Sequence, residues 1–229
     1  MKTNQYLSAM LLLPGLLMTA IPVQGQMASH GQGTTNTNIS LVTSGQEIAG
    51  VSFQFNGVNE KETNISGTAY SIYNVSEGTP ILEAGAPDLQ KVTSSVIIPD
   101  QGATALTIKS STFTEYQNVD IAPSKGSLLR NQIPSSLPYH FGSAYQQDQF
   151  YPGKLAELTD PYILRDLRGQ TIITYPFQYN PVTKVLRIYD EITVGIAEAP
   201  GNGINNLKKK GDEKLTKEFD KVYKNRFVN

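Results

Sequence analysis

Two stretches in the last third of the chain, Gln170–Tyr179 and Lys184–Ala197, alternate apolar and polar side chains on either side of Asn180-Pro181-Val182-Thr183. A period of two sends successive side chains to opposite faces of a pleated strand, and Asn-Pro favours turn initiation. The pair is therefore predicted to form a long antiparallel hairpin. In the second arm Leu186, Ile188, Ile192, Val194 and Ile196 share one face with Asp190 the only exception, and Arg187, Glu191 and Thr193 lie on the other. Val51, Phe53 and Phe55 alternate in the same way with Ser52 and Gln54. Ala69–Val75, Lys91–Ile98, Ala105–Ser110 and Phe113–Val119 are further strand candidates, each bounded by Gly, Pro, Asn or Asp. Many short strands with turn signals about every ten residues predict an all-β fold, an antiparallel, jelly-roll-like β-sandwich over residues 39–204.

After Pro200-Gly201-Asn202-Gly203 the period changes. Leu215, Phe219, Val222 and Tyr223 fall at helical spacing among Lys214, Lys217, Lys221 and Lys224, which predicts a short C-terminal amphipathic helix over Asp212–Phe227, within a basic tail of residues 205–229. A helix of about 16 residues is marginal alone in water, so it is expected to dock on the sandwich or to lead into a further segment.

At the other end, Lys2 supplies a positive start, Leu7–Ile21 is mostly apolar, and Pro22-Val23-Gln24-Gly25 ends in a small residue. Residues 1–25 read as a cleaved signal peptide. Pro14, Gly15 and Pro22 interrupt the run, which falls short of the ~20 apolar residues of a membrane span. Residues 26–38 are small and polar and read as a flexible leader. The expected destination is periplasmic or extracellular, with no membrane contact after cleavage. The chain has no cysteine, so no disulfide supports it in an oxidising compartment and the core must suffice. Lipid attachment through an N-terminal cysteine is excluded as well.

The 229 residues carry a formal charge of −1 and are 39% hydrophobic, as an ordinary globular domain is. The charge is uneven. Asn206–Asn229 holds 8 basic and 4 acidic residues, which leaves Gln26–Asn205 acidic. Such a body is not built for nucleic acid, and the basic tail reads as a solvated helix face.

No catalytic set stands out. There is no Gly-x-Ser-x-Gly elbow, and the two histidines, His30 and His140, are far apart, so a Ser-His-Asp arrangement would depend on His140 alone. No pair of histidines has zinc-ligand spacing, and the P-loop and dinucleotide glycine motifs are missing, so neither metal nor cofactor is expected. Asp160, Asp166, Asp190 and Glu191 are close enough in sequence for a glycosidase pair to be considered. Asp160-Pro161, however, reads as a turn, and Asp166, beside Arg165 and Arg168, reads as half of a structural salt bridge.

Several segments nonetheless carry a family signature: Val119 to Gly126 (VDIAPSKG), Leu129-Arg130-Asn131, Ile133-Pro134, Pro138-Tyr139, Gly142, Tyr145, Phe150 to Gly153 (FYPG), Asp160 to Gln170 (DPYILRDLRGQ) and Gln178 to Lys184 (QYNPVTK), followed by Leu186 to Tyr189. In order and spacing they closely resemble the N-terminal propeptide of the gingipains, bacterial secreted cysteine peptidases that cleave after Arg or Lys. Gly85-Ala86-Pro87 looks like a turn of the same family, and Phe219 to Lys224 resembles the propeptide's closing segment. The resemblance implies a β-sandwich prodomain that folds first, assists the peptidase domain and plugs its active site until removed. The implied partner is that cysteine peptidase catalytic domain, whose activity is proteolysis. A complete member would continue from the closing helix into the peptidase domain, with its Cys and His. A truncated gene, a split gene and a free-standing inhibitor all stay open.

By the resemblance, Arg130 aligns with the family's basic inhibitory-loop position. Lys125 is the runner-up, Leu128 and Leu129 stand beside Arg130, and Pro123, Gly126, Asn131 and Pro134 support the loop. An Arg-specific peptidase needs an acidic pocket, because a guanidinium leaving water must find a carboxylate that matches its fork. Pro123 and Pro134 stiffen both approaches, and Ile121 and Ile133 are expected to anchor the flanks in the core. Two other readings stay open: a secreted carbohydrate-binding or adhesion module with an exposed aromatic platform, and a hydrolase working through His140 or the carboxylates.

Overall fold

The computed structural model describes residues 35–42, 47–208 and 217–228. The expected signal peptide, most of the expected leader and the first residues of the expected helix, Asp212–Thr216, lie outside the described residues. Twelve strands run in order: β1 (Asn36–Val42), β2 (Ala49–Asn56), β3 (Asn59–Ile65), β4 (Thr68–Asn74), β5 (Thr79–Pro80), β6 (Gln90–Ile97), β7 (Ala103–Tyr116), β8 (Ala156–Leu158), β9 (Tyr162–Leu164), β10 (Leu167–Thr174), β11 (Phe177–Asn180) and β12 (Val185–Ala199). Among the described residues one α-helix, α1 (Lys217–Arg226), closes the order. Asn36–Asn38, expected in the leader, belong instead to β1, which pairs with β2 so that Ile39 stands opposite Phe53.

The strands form two five-stranded antiparallel sheets and a separate β3–β4 hairpin. In the first sheet β12 is the spine: β7 lies along one edge for its length, while β11 and β2 share the other edge. In the second, β10 plays the same part, with β6 on one edge and β8 and β9 on the other. Val51, Phe53, Ile192, Val194 and Ile196 of the first sheet and Val92, Val96 and Ile172 of the second lie in one buried cluster. Fully burying such side chains stabilises by about 1.5–3 kcal/mol each, the main favourable term in a chain with no disulfide. The result is an all-β antiparallel sandwich with one short helix.

The expected hairpin is divided. Its first arm is two strands in two sheets, β10 and β11, broken at Tyr175-Pro176. Proline has no N–H to extend a ladder, so the chain leaves one sheet there and enters the other. The turn into β12 keeps its Asn-Pro logic, since Asn180 Oδ1 accepts the N–H groups of Val182 (3.1 Å) and Thr183 (3.3 Å). Asp190, the exception in the alternation, is the residue that falls out of register between β12 and β7, a bulge that sends the charge outward. Ala105–Ser110 and Phe113–Val119 are not two strands but one, β7, whose own irregularity at Lys109 matches a shift opposite Thr193 and Val194.

Arg168 does not pair with Asp166. It is 1% exposed, and its guanidinium donates to the carbonyls of Pro99 (2.8 Å), Gly102 (3.0 Å) and Ile204 (2.7 Å), tying the β6–β7 connection to the segment after β12. Asp166 instead accepts the hydroxyl of Tyr223 in α1, and Arg165 lies over Phe219, 4.0 Å from the ring centroid. The helix therefore docks. Tyr223 and Phe227 are buried, and a Cβ on Gly169 would stand 2.6 Å from the Phe227 ring, so only glycine lets the ring settle on β10. Val222, expected on the apolar face, is 46% exposed, because the contact runs through Tyr223 and Phe227.

Between β5 and β6 the chain packs against residues 119–124. Pro87 and Pro123 form an isolated bridge, and the Asp88 N–H donates to the Ala122 carbonyl (2.8 Å). Burial raises the Asp88 carboxyl pKa above its ordinary 3.8. The folded chain holds that proton to higher pH than the unfolded one, so stability falls as pH rises from about 3.8 to the raised value, and the full cost stands above it.

Two outcomes are expected in thermal melts. Arg168→Met should leave three carbonyls without their donor and cost roughly 3 kcal/mol, about 6–12 °C in Tm for a domain of this size. Asp88→Asn should melt higher than the parent at pH 7 and equally at pH 3, where both side chains are neutral.

Candidate functional site

The segment that leaves β7 is riveted into the sandwich before it becomes a loop. Ser71 N–H donates to the Asp120 carbonyl (2.7 Å) and Ala122 N–H returns to the Ser71 carbonyl (3.0 Å). Tyr179 and Tyr145 hydroxyls donate to the carbonyls of Val119 and Ile121, both at 2.8 Å. Burial pushes the Tyr179 phenol up to about 12 and raises Tyr145 still further, so both hydroxyls keep their protons and remain donors. Ile121, Ala122, Pro123 and Ser124 are all buried.

From Lys125 to Phe141 the chain loops outward, and both ends of the loop are held by the peptide groups of one residue. Gly85 N–H donates to the Ser124 carbonyl (2.9 Å), and the Gly85 carbonyl accepts from Gly142 N–H (2.8 Å). Ser124 N–H adds a bond to the Ala86 carbonyl (2.7 Å). Gly85 has φ +78°, and a Cβ there would stand 3.0 Å from Gly142 N, so this close approach needs glycine. Gly126, at φ +75°, is buried against Ala84, 2.9 Å from where its own Cβ would be. The Gly85-Ala86-Pro87 turn of the sequence is thus the clasp of an Ω-shaped loop.

The tip is ordered by Gln132. Its N–H donates to the Leu129 carbonyl (2.9 Å), and its Oε1 accepts Leu129 N–H (2.7 Å), which closes a turn with Arg130 and Asn131 in the centre. Arg130 and Asn131 are exposed, and Arg130 has no hydrogen bond or ion pair among the described residues. Leu129 is 67% and Ile133 64% exposed, and Leu128 is half-buried. Ile121 does anchor its flank. Ile133 does not: the second flank is held by polar contacts, and Ile133 turns to solvent beside the tip. Lys125 points inward, with Nζ donating to the Pro134 carbonyl (2.7 Å) and lying 4.1 Å from the Tyr139 ring centroid. Pro134 itself is exposed and opens a 3-10 turn, Pro134–Ser136.

The other candidates are not gathered into a site. His140 is exposed on the same loop, Asp166 is engaged by Tyr223, and Glu191 accepts the Thr193 hydroxyl (2.9 Å). Among the described residues no group of three His, Cys, Asp or Glu side chains is placed to hold a metal ion. A cavity of about 60 Å³ between Phe55, Tyr73, Tyr116 and Ile188 has room for a few waters. The exposed rings of Phe113 and Phe141 meet their aromatic neighbours at 50° to 81°, which is not the geometry of a flat platform. Gly85, Gln132, Tyr139 and Gly142 went unassigned as site residues in the sequence. Gly85, Tyr139 and Gly142 nonetheless stand in the family segments of the sequence.

Comparison with known proteins agrees with this architecture. Gingipain R1 of Porphyromonas gingivalis is 40% identical over 195 residues, which cover 85% of this chain and 19% of that protein. Gingipain R2 of the same organism is 37% identical over 204 residues, covering 89% of the chain and 27% of that protein. The chain thus spans about a quarter or less of these relatives. Among solved structures, the complex of Porphyromonas gingivalis RgpB pro- and mature domains matches with a TM-score of 0.75 at 36% identity, over 82% of this chain and 96% of that one. A structure concerned with the zymogenic latency of gingipain K from the same organism shares the fold, with a TM-score of 0.60 at 19% identity over 74% of this chain and 96% of that one. The Propeptide_C25 family model matches residues 30–229, and the chain belongs to that family, the propeptides of the gingipains.

Proposed function

We propose that this chain is the non-catalytic prodomain of an exported gingipain-type cysteine endopeptidase, a folding aid for the peptidase domain and a substrate-like plug of its active site. The observation that carries the reading is the tip of the clasped loop: Arg130 is exposed and unpartnered among the described residues, between the exposed apolar side chains of Leu129 and Ile133. An apolar pair with no core to fill, flanking a free cation, suits a contact surface for an acidic, Arg-selective pocket. The match to a complex of pro- and mature domains supports the catalytic domain as the partner. Residues 1–25 act as the export signal, ahead of a domain that carries no cysteine.

A charge-assisted hydrogen bond contributes roughly 1.5–3 kcal/mol, one to two decades of affinity. The remainder comes from the wider contact and from a loop that is already ordered, so that binding does not bear that entropic cost.

The test is inhibition of the mature domain of RgpB, read with a small chromogenic Arg substrate. The parent chain should inhibit, and Arg130→Ala should raise Ki by about a hundredfold with its Tm unchanged. Absence of inhibition by the parent would sink the prodomain reading, and equal inhibition by the variant would remove Arg130 from it. Gly142→Val, which forces the clasp apart, should weaken inhibition by about tenfold through the loss of one or two hydrogen bonds.

A further inference from the structure

We infer that Lys125 is a positioning residue that sets where Arg130 stands, an inference that rests on the reading of Arg130 as the side chain entering the partner's pocket. The loop is closed at two levels. At its base the Gly85 peptide holds Ser124 and Gly142. Between that base and the tip turn closed by Gln132, no backbone hydrogen bond among the described residues joins the two sides of the lobe, and the closure there is made by one side chain: Lys125 Nζ donates to the carbonyl of Pro134 at 2.7 Å.

The same ammonium lies 4.1 Å from the Tyr139 ring centroid, and the Tyr139 hydroxyl is 3.4 Å from Thr63 Oγ1 on β3. A surface lysine ordinarily keeps its ammonium in water. Here it folds back over an aromatic face, where cation–π attraction and a charge-assisted bond offset the lost hydration and rotamer freedom.

The rigid side of this strut is its own backbone. Ser124 is buried and bonded to Ala86, and Gly126 is packed on Ala84 in a left-handed conformation, so Lys125 cannot follow the lobe if the lobe shifts. The flexible side is Pro134, next to the exposed Ile133. The strut therefore transfers the fixed position of residues 119–124 across the neck to the far side of the lobe. Its length shortens the free span to residues 126–133, and a shorter closed loop has less freedom to lose on binding. Arg130 sits in the middle of that span, on the turn closed by Gln132.

The experiment compares the full chain with Lys125→Met, Lys125→Arg, Arg130→Ala and the Lys125→Met/Arg130→Ala double variant, in two readouts. The first is amide hydrogen exchange without a partner. Lys125→Met should speed exchange at Leu129 and Gln132 by about tenfold while Gly85 and Gly142 hold their rates, and Lys125→Arg should stay near the parent, because a guanidinium also stacks on a ring and reaches a carbonyl. Unchanged exchange at Leu129 and Gln132 overturns the strut whatever the partner does.

The second readout is Ki against the mature domain of RgpB. Lys125→Met should weaken inhibition by about tenfold, with recovery in Lys125→Arg, and should add nothing once Arg130 is Ala. Additive losses would mean that Lys125 touches the peptidase itself and would overturn the positioning role. Parent-like inhibition by Arg130→Ala overturns the reading of Arg130 while the exchange data still decide the strut. If Lys125→Met lowers Tm, the Lys125→Arg variant decides: loss of inhibition there despite a parent-like melt and exchange pattern counts against the strut.

Discussion

An exposed loop has little apolar interior of its own, so its shape must come from elsewhere. In this chain it comes from the peptide groups of Gly85, which bind Ser124 on one side and Gly142 on the other. The approach is close enough that a side chain on either glycine would meet the other's backbone at about 3.0 Å. Everything above the clasp inherits its position: the strut from Lys125 to Pro134, the turn closed by Gln132, and Arg130 at its tip. Everything below it is core, because Ile121 and Ala122 are fully buried and the peptides of Asp120 and Ala122 on either side of Ile121 are bonded to Ser71 of β4.

The clasp belongs to a wider pattern. With no cysteine, the chain cannot tie its loops with disulfides. Its loops are held instead by side-chain donors on main-chain carbonyls. Arg168 bonds Pro99, Gly102 and Ile204; Gln170 bonds Thr159; Gln178 bonds Pro152; Asn205 bonds Pro161; Tyr145 and Tyr179 bond the root of the clasped loop. Each bond is worth only about 1 kcal/mol net, but leaving its carbonyl buried and unpaired costs more, so each removes alternative loop conformations more than it adds stability.

Much of the sandwich was legible as alternation. Val51, Phe53 and Phe55 are buried as their period demands, and the apolar face of β12 is interrupted only where Asp190 bulges out. What period two does not encode is which sheet a strand joins, so the arm divided by Pro176 read as one strand. The β3 sequence NEKETNI gave no apolar signal because it pairs only with β4, in a hairpin outside both sheets. Arg168 looked like half of an ion pair because an adjacent carboxylate is visible in sequence and a distant carbonyl is not. In the loop, the role proposed for Arg130 came from the family resemblance, while the clasp had no such signal, since it joins backbone atoms of residues 85, 124 and 142.

That division between tip and clasp is what the proposed plug would require. A single arginine in a carboxylate-lined pocket supplies one or two decades of affinity at most, and a flexible segment carrying it would lose much of that on ordering. The entropy of closing the loop is instead overcome during folding, by the same contacts that build the core: Ile121 in its cluster, Ser71 on Asp120 and Ala122, Gly85 across the base. Binding then adds to a loop whose conformation is already set, and the exposed Leu129 and Ile133 can contribute their apolar area without first being brought together. On the proposed reading, tight binding from so small a tip requires a scaffold of this size behind it, which sets the contact residue on a packed sandwich and not on a free segment.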